Sequence, residues 1–307
     1  LRTGQYFSNG KLLLSGEYLV LHGAKALAVP LKYGQRMLVQ EIPESAMIYW
    51  DAFVKNEPWF SATFSLNHPE TLHCTDAAGG HFVELLLQAG ARLQPDLLTC
   101  RKGFRLQHYI DFDINWGWGS SSSLISNMAH WLDVDLFTLY KSLFNGSGYD
   151  VFTARAHTPS VYELKANGPV MQPVNMNPEL TPSLYFVYLG NKQDSQKSVE
   201  KFRNMNLSDL NLIDWVSQIT EAMTGAASPG EFMGLMRLHE ALLSELLEIP
   251  PVKEERFPGF DGEIKSLGAW GGDFIMACSG SGNEYVKRYF QSKGLTTVFS
   301  WPEIVLS

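Results

Sequence analysis

The sequence predicts an α+β protein of two domains. Its first half reads mainly as strands, while its second half alternates long helical patterns with short apolar strands. A chain of 307 residues is long enough to bury a sizeable core and to divide in two. The stretch 166–182 is loop-rich and punctuated by Pro169, Pro173, Pro178 and Pro182. It places the boundary so that residues 1–170 form the first domain and 171–307 the second.

Taken in order, the chain from Gln5 to Ile42 reads as strands, with an apolar run at Leu12, Leu13 and Leu14 and turns at Gly23 and Gly34. Tyr49 to Ser65 is aromatic-rich and partly alternating, which predicts further strand. From Phe82 onward Leu85, Leu86 and Ala89 keep helical spacing. Phe104, Leu106, Ile110, Phe112 and Ile114 alternate as a strand. A helix from about Ser120 to Trp131 and a short one between Asp133 and Phe144 follow. Val161–Leu164 and Tyr185–Leu189 are expected as strands. Asp194–Arg203, Leu207–Met223 and Pro229–Leu247 are helical patterns, the last with Phe232, Leu235, His239, Leu242 and Leu246 on one core-facing side. Phe274–Cys278 reads as a buried strand, Asn283–Gln291 as a helix and Thr296–Ser300 as a strand. No internal repeat or low-complexity tract is present.

Composition narrows the function. Hydrophobic residues make up 45% and charged residues 18% of the chain, as in a globular protein. A net charge of −8 argues against nucleic acid or an anionic membrane as partner. It does not argue against a nucleotide, because phosphate sites are local and built largely from backbone amides. No apolar run reaches membrane-spanning length and no signal-peptide pattern opens the chain. Cys74, Cys100 and Cys278 are odd in number and widely spaced, so no disulfide framework is expected and a cytoplasmic location fits. His68, His73, Cys74 and His81 match no standard zinc spacing.

The most informative stretch is Asn115-Trp116-Gly117-Trp118-Gly119-Ser120-Ser121-Ser122-Ser123. A Gly-x-Gly turn and a hydroxyl cluster open an apolar-periodic segment carrying Leu124, Ile125, Met128, Ala129 and Trp131. Such a loop offers unpaired N–H groups at a helix N-terminus, where the dipole also favours an anion. On the residues alone it is either a phosphate site or an ordinary Gly/Ser helix cap. It is not a Walker A loop, since no Gly-x4-Gly-Lys-Ser/Thr occurs.

Two further blocks bear on that choice: Gly10-Lys11-Leu12-Leu13-Leu14-Ser15-Gly16-Glu17-Tyr18-Leu19-Val20-Leu21-His22-Gly23, and Lys265-Ser266-Leu267-Gly268-Ala269-Trp270-Gly271-Gly272-Asp273. In this order the three blocks resemble the GHMP kinases, the family named for galactokinase, homoserine kinase, mevalonate kinase and phosphomevalonate kinase. The first is similar to the Lys-(apolar)-Gly-Glu-(Tyr/His) motif, the second to the Gly-Leu-Gly-Ser-Ser-Ala phosphate loop and the third to Gly-Ala-Gly-Gly-Gly. A fourth segment, Ser147-Gly148-Tyr149-Asp150, resembles the family's Ser-Gly-x-Asp. The resemblance spans about residues 5 to 280.

The resemblance implies an N-terminal domain like ribosomal protein S5 domain 2 and a ferredoxin-like C-terminal domain, with ATP in the cleft between them. It implies ATP and Mg2+ as cofactors, and a small-molecule alcohol or phosphate as acceptor. Asp150 is then the catalytic base and Lys11 its cationic partner, keeping the carboxylate ionised and stabilising the transferring phosphoryl group. The nucleotide is expected on Asn115, Gly117, Trp118, Gly119, Ser120, Ser121 and Ser122, with the metal on Ser121. The acceptor side is expected to involve Glu17, Tyr18, His22, Ser195, Lys197, Gly268, Ala269, Gly271 and Gly272. The Gly16-Glu17-Tyr18 form is closer to phosphomevalonate kinases, and Gln193–Ser198 resembles a Ser/Lys-rich helix start that faces the acceptor in mevalonate-pathway members. This favours mevalonate or phosphomevalonate, and so isoprenoid biosynthesis. A sugar or other small-alcohol kinase and a catalytically inactive sensor of the same fold are the alternatives. The chain departs from the pattern at Trp118, where leucine is usual, and at Trp270 within the glycine run. It also has no acid in 137–142, where mevalonate kinases carry a magnesium-binding glutamate, and has His157-Thr158-Pro159 in place of a Gly-Gly turn.

Overall fold

In the computed structural model, residues 2–44, 46–67, 69–99, 102–190, 210–268, 270 and 273–307 are described. The chain divides into two compact units. One comprises Leu1–Gly10, Tyr33–Ile114 and Trp118–Arg155, the other Lys11–Lys32, Asn115–Gly117 and Ala156–Ser307. Two long strands, β1 (Gly4–Leu13) and β2 (Ala26–Ile42), contribute residues to both.

The first unit is a sheet covered by helices. Its strands are the C-terminal part of β2, then β3 (Met47–Val54), β4 (Glu57–Ser65), β5 (Glu70–Cys74) and β6 (Gly103–Ile110). β6 pairs antiparallel with Gln35–Ile42 of β2 and parallel with β3; β3–β4 and β4–β5 are antiparallel. The β3–β4 turn places Lys55 and Asn56 at φ 50 and 68, the left-handed pair whose twist matches a tight hairpin. β3 alternates between enclosed and partly exposed residues, so one face is core. On that face Val39, Trp50, Phe64, Phe104 and Leu106 pack with Leu86 and Leu87 of α1 (Ala77–Leu93) and with Met128, Trp131 and Leu132 of α3 (Ser120–Leu132). Asp76 caps α1 by accepting from the Gly79 amide. Three short helices complete the unit: α2 (Asp96–Thr99), α4 (Leu136–Lys141) and α5 (Tyr149–Thr153).

In the second unit, Ala26–Ala28 of β2 pair with β7 (Ser160–Lys165), which forms a hairpin with β8 (Gly168–Pro173). A separate antiparallel sheet has the order β10 (Glu263–Ser266), β11 (Phe274–Cys278), β9 (Leu184–Tyr188), β12 (Val298–Ser300). Its core joins Tyr185, Val187, Ile264 and Ile275 to Phe257, Phe260 and Phe290. The helices are α6 (Leu210–Gly225), α7 (Pro229–Leu247), α8 (Val252–Arg256), α9 (Asn283–Ser292) and α10 (Trp301–Ile304). A second apolar cluster gathers Leu19, Ala24, Val216, Leu243 and Trp270.

Of the expected α+β fold, the mixture of helices with sheets is present, as a large, mainly antiparallel sheet and a smaller one. Details differ. The strand reading of Gln5–Ile42 is interrupted by a 3-10 turn, Leu19–His22, entered through Tyr18 at φ 63 and left through Gly23 at φ 92. The strand expected to reach Ile114 ends at Ile110, and the next residue, Asp111, accepts from the Gly34 amide through its side chain. β5, β8, α8 and β10 were not expected, because each is short and carries no periodic signal of its own. The helix expected at Asp194–Arg203 lies outside the described residues.

Candidate functional site

α3 starts at Ser120 on a glycine N-cap, Gly119, held at φ 87 and ψ 47. Glycine adopts this left-handed conformation without steric cost but offers no side chain to cap the helix. The first amides of α3 therefore receive no side-chain cap, the situation in which an anion stabilises a helix start. The serines that follow have separate roles. Ser123 is enclosed, and its hydroxyl bonds to Gln35 Oε1 and lies near the Gly119 and Ser120 carbonyls. Ser121 is exposed. Ser122 is buried and its hydroxyl donates to Asp150 Oδ2 at 2.8 Å. Asp150 lies in the first turn of α5, which begins on a second left-handed glycine, Gly148 at φ 84. Thus Ser122 and Asp150, chosen from separate motifs, meet at the N-terminal turn of α3.

Trp118 is completely buried, with its ring centroid 5.6 Å from that of Tyr33 and 5.9 Å from that of Phe112. The bulky replacement for leucine is thus packed inside its unit, against Tyr33 and Phe112.

In the second unit, Lys11 is half-buried on β1, Asn115 is exposed and Gly117 sits at φ 66. A Cβ on Gly117 would fall 2.1 Å from Asp273 Oδ2, so the positive φ favours glycine and any larger residue would also displace that carboxylate. Trp116 packs edge-on to Phe299, with centroids 5.3 Å apart, and near Phe274 and Tyr188. Gly268 has φ 65 and open space where a side chain would stand. The Tyr18 hydroxyl accepts from the Trp270 amide at 2.9 Å, tying the first block to the third. His22 closes the 3-10 turn with its Nε2 enclosed and without a hydrogen bond. Ser195, Lys197, Ala269, Gly271 and Gly272 lie outside the described residues.

Glu17 sits in a sealed polar cluster. It is 1% exposed, and its Oε1 accepts from Lys265 Nζ, itself 0% exposed. Its Oε2 is 3.4 Å from Nε2 of the buried His239. His239 Nε2 accepts from the Gly16 amide at 3.0 Å, which puts the imidazole proton on Nδ1. Glu240, one residue on, receives the Ser266 amide and hydroxyl at 3.0–3.2 Å. Burial pushes the Glu17 carboxyl up against the pull of Lys265. Burial likewise raises Glu240 to about 7, and together with the Lys265 charge it holds His239 well below its ordinary value. Sequence reading missed Lys265 and Glu240 as members of this cluster. Their residue types are normally exposed, and only the glycine block beside Lys265 drew attention to that stretch.

Among the described residues no group of three or more His, Cys, Asp or Glu stands ready to hold a metal. No described helix is long and apolar enough to cross a membrane.

No protein-family model matches the sequence, and no curated protein matches it significantly. Solved structures do match. Methanococcus jannaschii mevalonate kinase superposes with a TM-score of 0.68 at 16% identity, covering 100% of this chain and 99% of that one. Streptococcus pneumoniae phosphomevalonate kinase, in complex with phosphomevalonate and AMPPNP, gives 0.71 at 18%, covering 97% and 99%. Lactococcus lactis galactokinase complexed with galactose gives 0.66 at 15%, covering 98% and 93%. The chain has the fold of the GHMP kinases, matching such structures over nearly its whole length.

Proposed function

We propose that the protein is an ATP-dependent kinase of a small-molecule alcohol or phosphate, with mevalonate or phosphomevalonate the favoured acceptor. The observation that carries this reading is the Ser122–Asp150 contact of 2.8 Å. It holds a carboxylate at the uncapped end of the helix that suits a phosphate. In the proposed reaction the acceptor oxygen attacks the γ-phosphorus as Asp150 takes its proton, and the bond to the β–γ bridging oxygen breaks to release ADP. Lys11 supplies positive charge to the transferring group. Asn115, Gly117, Trp118, Gly119 and Ser120–Ser122 surround the phosphates, largely through backbone amides. Ser121 is the exposed hydroxyl that would ligate Mg2+, the ion that neutralises phosphate charge. Residues 1–170 are the ATP-binding half of this reading and 171–307 the other.

The acceptor rests on likeness of fold. The phosphomevalonate kinase match supports the favoured choice, and the galactokinase match keeps sugars in the comparison. A coupled ADP-release assay over mevalonate, phosphomevalonate and a sugar panel decides among them. Asp150→Asn is expected to fold, bind ATP and lose about 10²–10⁴-fold in turnover, the usual contribution of a general base. Near-wild-type turnover in Asp150→Asn removes the base assignment. ATP binding without turnover on any acceptor favours the sensor reading.

A further inference from the structure

We propose that Ser122 is a positioning residue for Asp150, fixing which carboxylate oxygen meets the acceptor hydroxyl. The inference rests on the kinase reading above and deepens it. Ser122 is the third residue of α3, where a serine hydroxyl ordinarily turns back to its own helix or to solvent. Here it leaves the helix and donates to Oδ2 of Asp150 on α5. Its next neighbours do not share this contact: the Ser123 hydroxyl is consumed by Gln35 and the helix start, and Ser121 is exposed. The four-serine run thus devotes one hydroxyl to the carboxylate, at the position where the resembling motif ends in alanine.

The contact has a chemical consequence. Ser122 is 2% exposed, so its hydroxyl is shielded from competing water and its bond to an ionised oxygen is of the stronger, charge-assisted kind. With Oδ2 held, rotation of the carboxyl group is restricted, and Oδ1 becomes the oxygen presented to the acceptor. A base that must sit within hydrogen-bond reach of the proton it removes gains from being fixed in this way. The same bond links the first turns of α3 and α5, so the carboxylate keeps its distance from the phosphate-binding amides. Ser122 need not touch substrate to do this.

The test is a double-mutant cycle of Ser122→Ala and Asp150→Asn, read as steady-state kcat and ATP KM with the best acceptor, alongside thermal unfolding. Ser122→Ala is expected to lower kcat about tenfold or more, the value of one charge-assisted hydrogen bond, with ATP KM changed less than threefold. In the Asp150→Asn background the same change is expected to cost little further, because there is no base left to aim. Ser122→Thr, which restores a hydroxyl, is expected to recover part of the loss. Wild-type kcat in a folded Ser122→Ala overturns the proposal. So does an equal loss in both backgrounds, which means that Ser122 acts without Asp150. If Asp150→Asn itself retains turnover, the base assignment fails first, so the two failures are distinguishable.

Discussion

The Glu17–Lys265 pair offers the most quantitative perturbation in this structure. Both side chains are enclosed, at 1% and 0% exposure, so neither charge has water to fall back on. Removing one partner from such a pair costs about 3–5 kcal/mol, because an uncompensated charge stays buried. Lys265→Met is expected at the lower end, about 3 kcal/mol, since the Glu17 carboxyl is already pushed toward its neutral form and can take a proton. Glu17→Gln leaves the ammonium, which still donates to the Ser266 carbonyl at 2.8 Å, and draws on the nearby Glu240 charge. The double variant removes both charges and is expected to be at least about 2 kcal/mol better than the sum of the singles. The assay is urea unfolding at pH 7, followed by both tryptophan fluorescence and circular dichroism to check that one transition is being measured. Two singles within about 1 kcal/mol of wild type, or strictly additive losses, would refute the buried-pair argument. A stable Glu17→Gln whose only defect is a raised acceptor KM would instead return Glu17 to the substrate side, where the motif first put it.

Two further perturbations follow from single groups. Burial raises Glu240 to about 7 and lowers His108, stacked on Trp50 at 4.1 Å, to about 3. Glu240 holds its proton in the folded state when the unfolded chain has lost it, so its contribution is complete below about pH 4.5 and is lost as pH rises to about 7. His108 refuses a proton that the unfolded chain accepts, so its contribution is complete above about pH 6.5 and is lost as pH falls toward 3. Each slope is about 1.4 kcal/mol per pH unit and the two oppose one another between pH 4.5 and 6.5. Glu240→Gln should therefore steepen the acid-side loss of stability, and His108→Phe should reverse its sign; unchanged profiles in both variants would contradict the burial argument. Gly117→Ala should weaken ATP binding at least tenfold, because φ 66 costs an L-residue about 1–2 kcal/mol and the new methyl meets the Asp273 carboxylate. Calorimetry showing wild-type affinity would mean that the 115–119 turn is not part of the nucleotide site.

The sequence made some levels of this molecule readable and hid others for physical reasons. Long periodic segments such as Ser120–Leu132 and Pro229–Leu247 declare themselves because a helix must bury one stripe. The loop before Ser120 is readable because glycine adopts φ 66 and φ 87 at the least steric cost, and such positions tend to leave a mark in the letters. The acid-to-serine contact was not readable. Twenty-seven residues separate Ser122 from Asp150, Ser122 looked like one of four equivalent hydroxyls, and no local rule says which turns toward α5. The polar cluster was hidden for the opposite reason. His239 fell on a core-facing stripe, but a lysine and two glutamates read as surface or substrate-facing groups, and nothing in their spacing says that 240 and 265 are enclosed together with 17.

That cluster changes how the first motif should be understood. A Gly-Glu-Tyr segment invites each polar group to be given a ligand, yet in this fold all three residues spend polar groups on protein. Glu17 is held by Lys265, and Tyr18 takes the Trp270 amide. Gly16 has φ 82, a Cβ there would lie 2.7 Å from Ala26 Cβ, and its amide goes to His239. The motif is thus bound on three sides, by α7, by β10 and by the segment carrying Trp270. Such bonding is costly to build around buried charge and makes sense when a turn must be held in one shape. It shifts the expected work of the first block away from Glu17 and onto Lys11, six residues earlier on β1. Lys11→Ala tests that division directly: its loss should appear in turnover with little change in unfolding, whereas Lys265→Met should appear first in unfolding. The reverse pattern would mean that the buried cluster, and not the strand lysine, is the part that reaches the reaction.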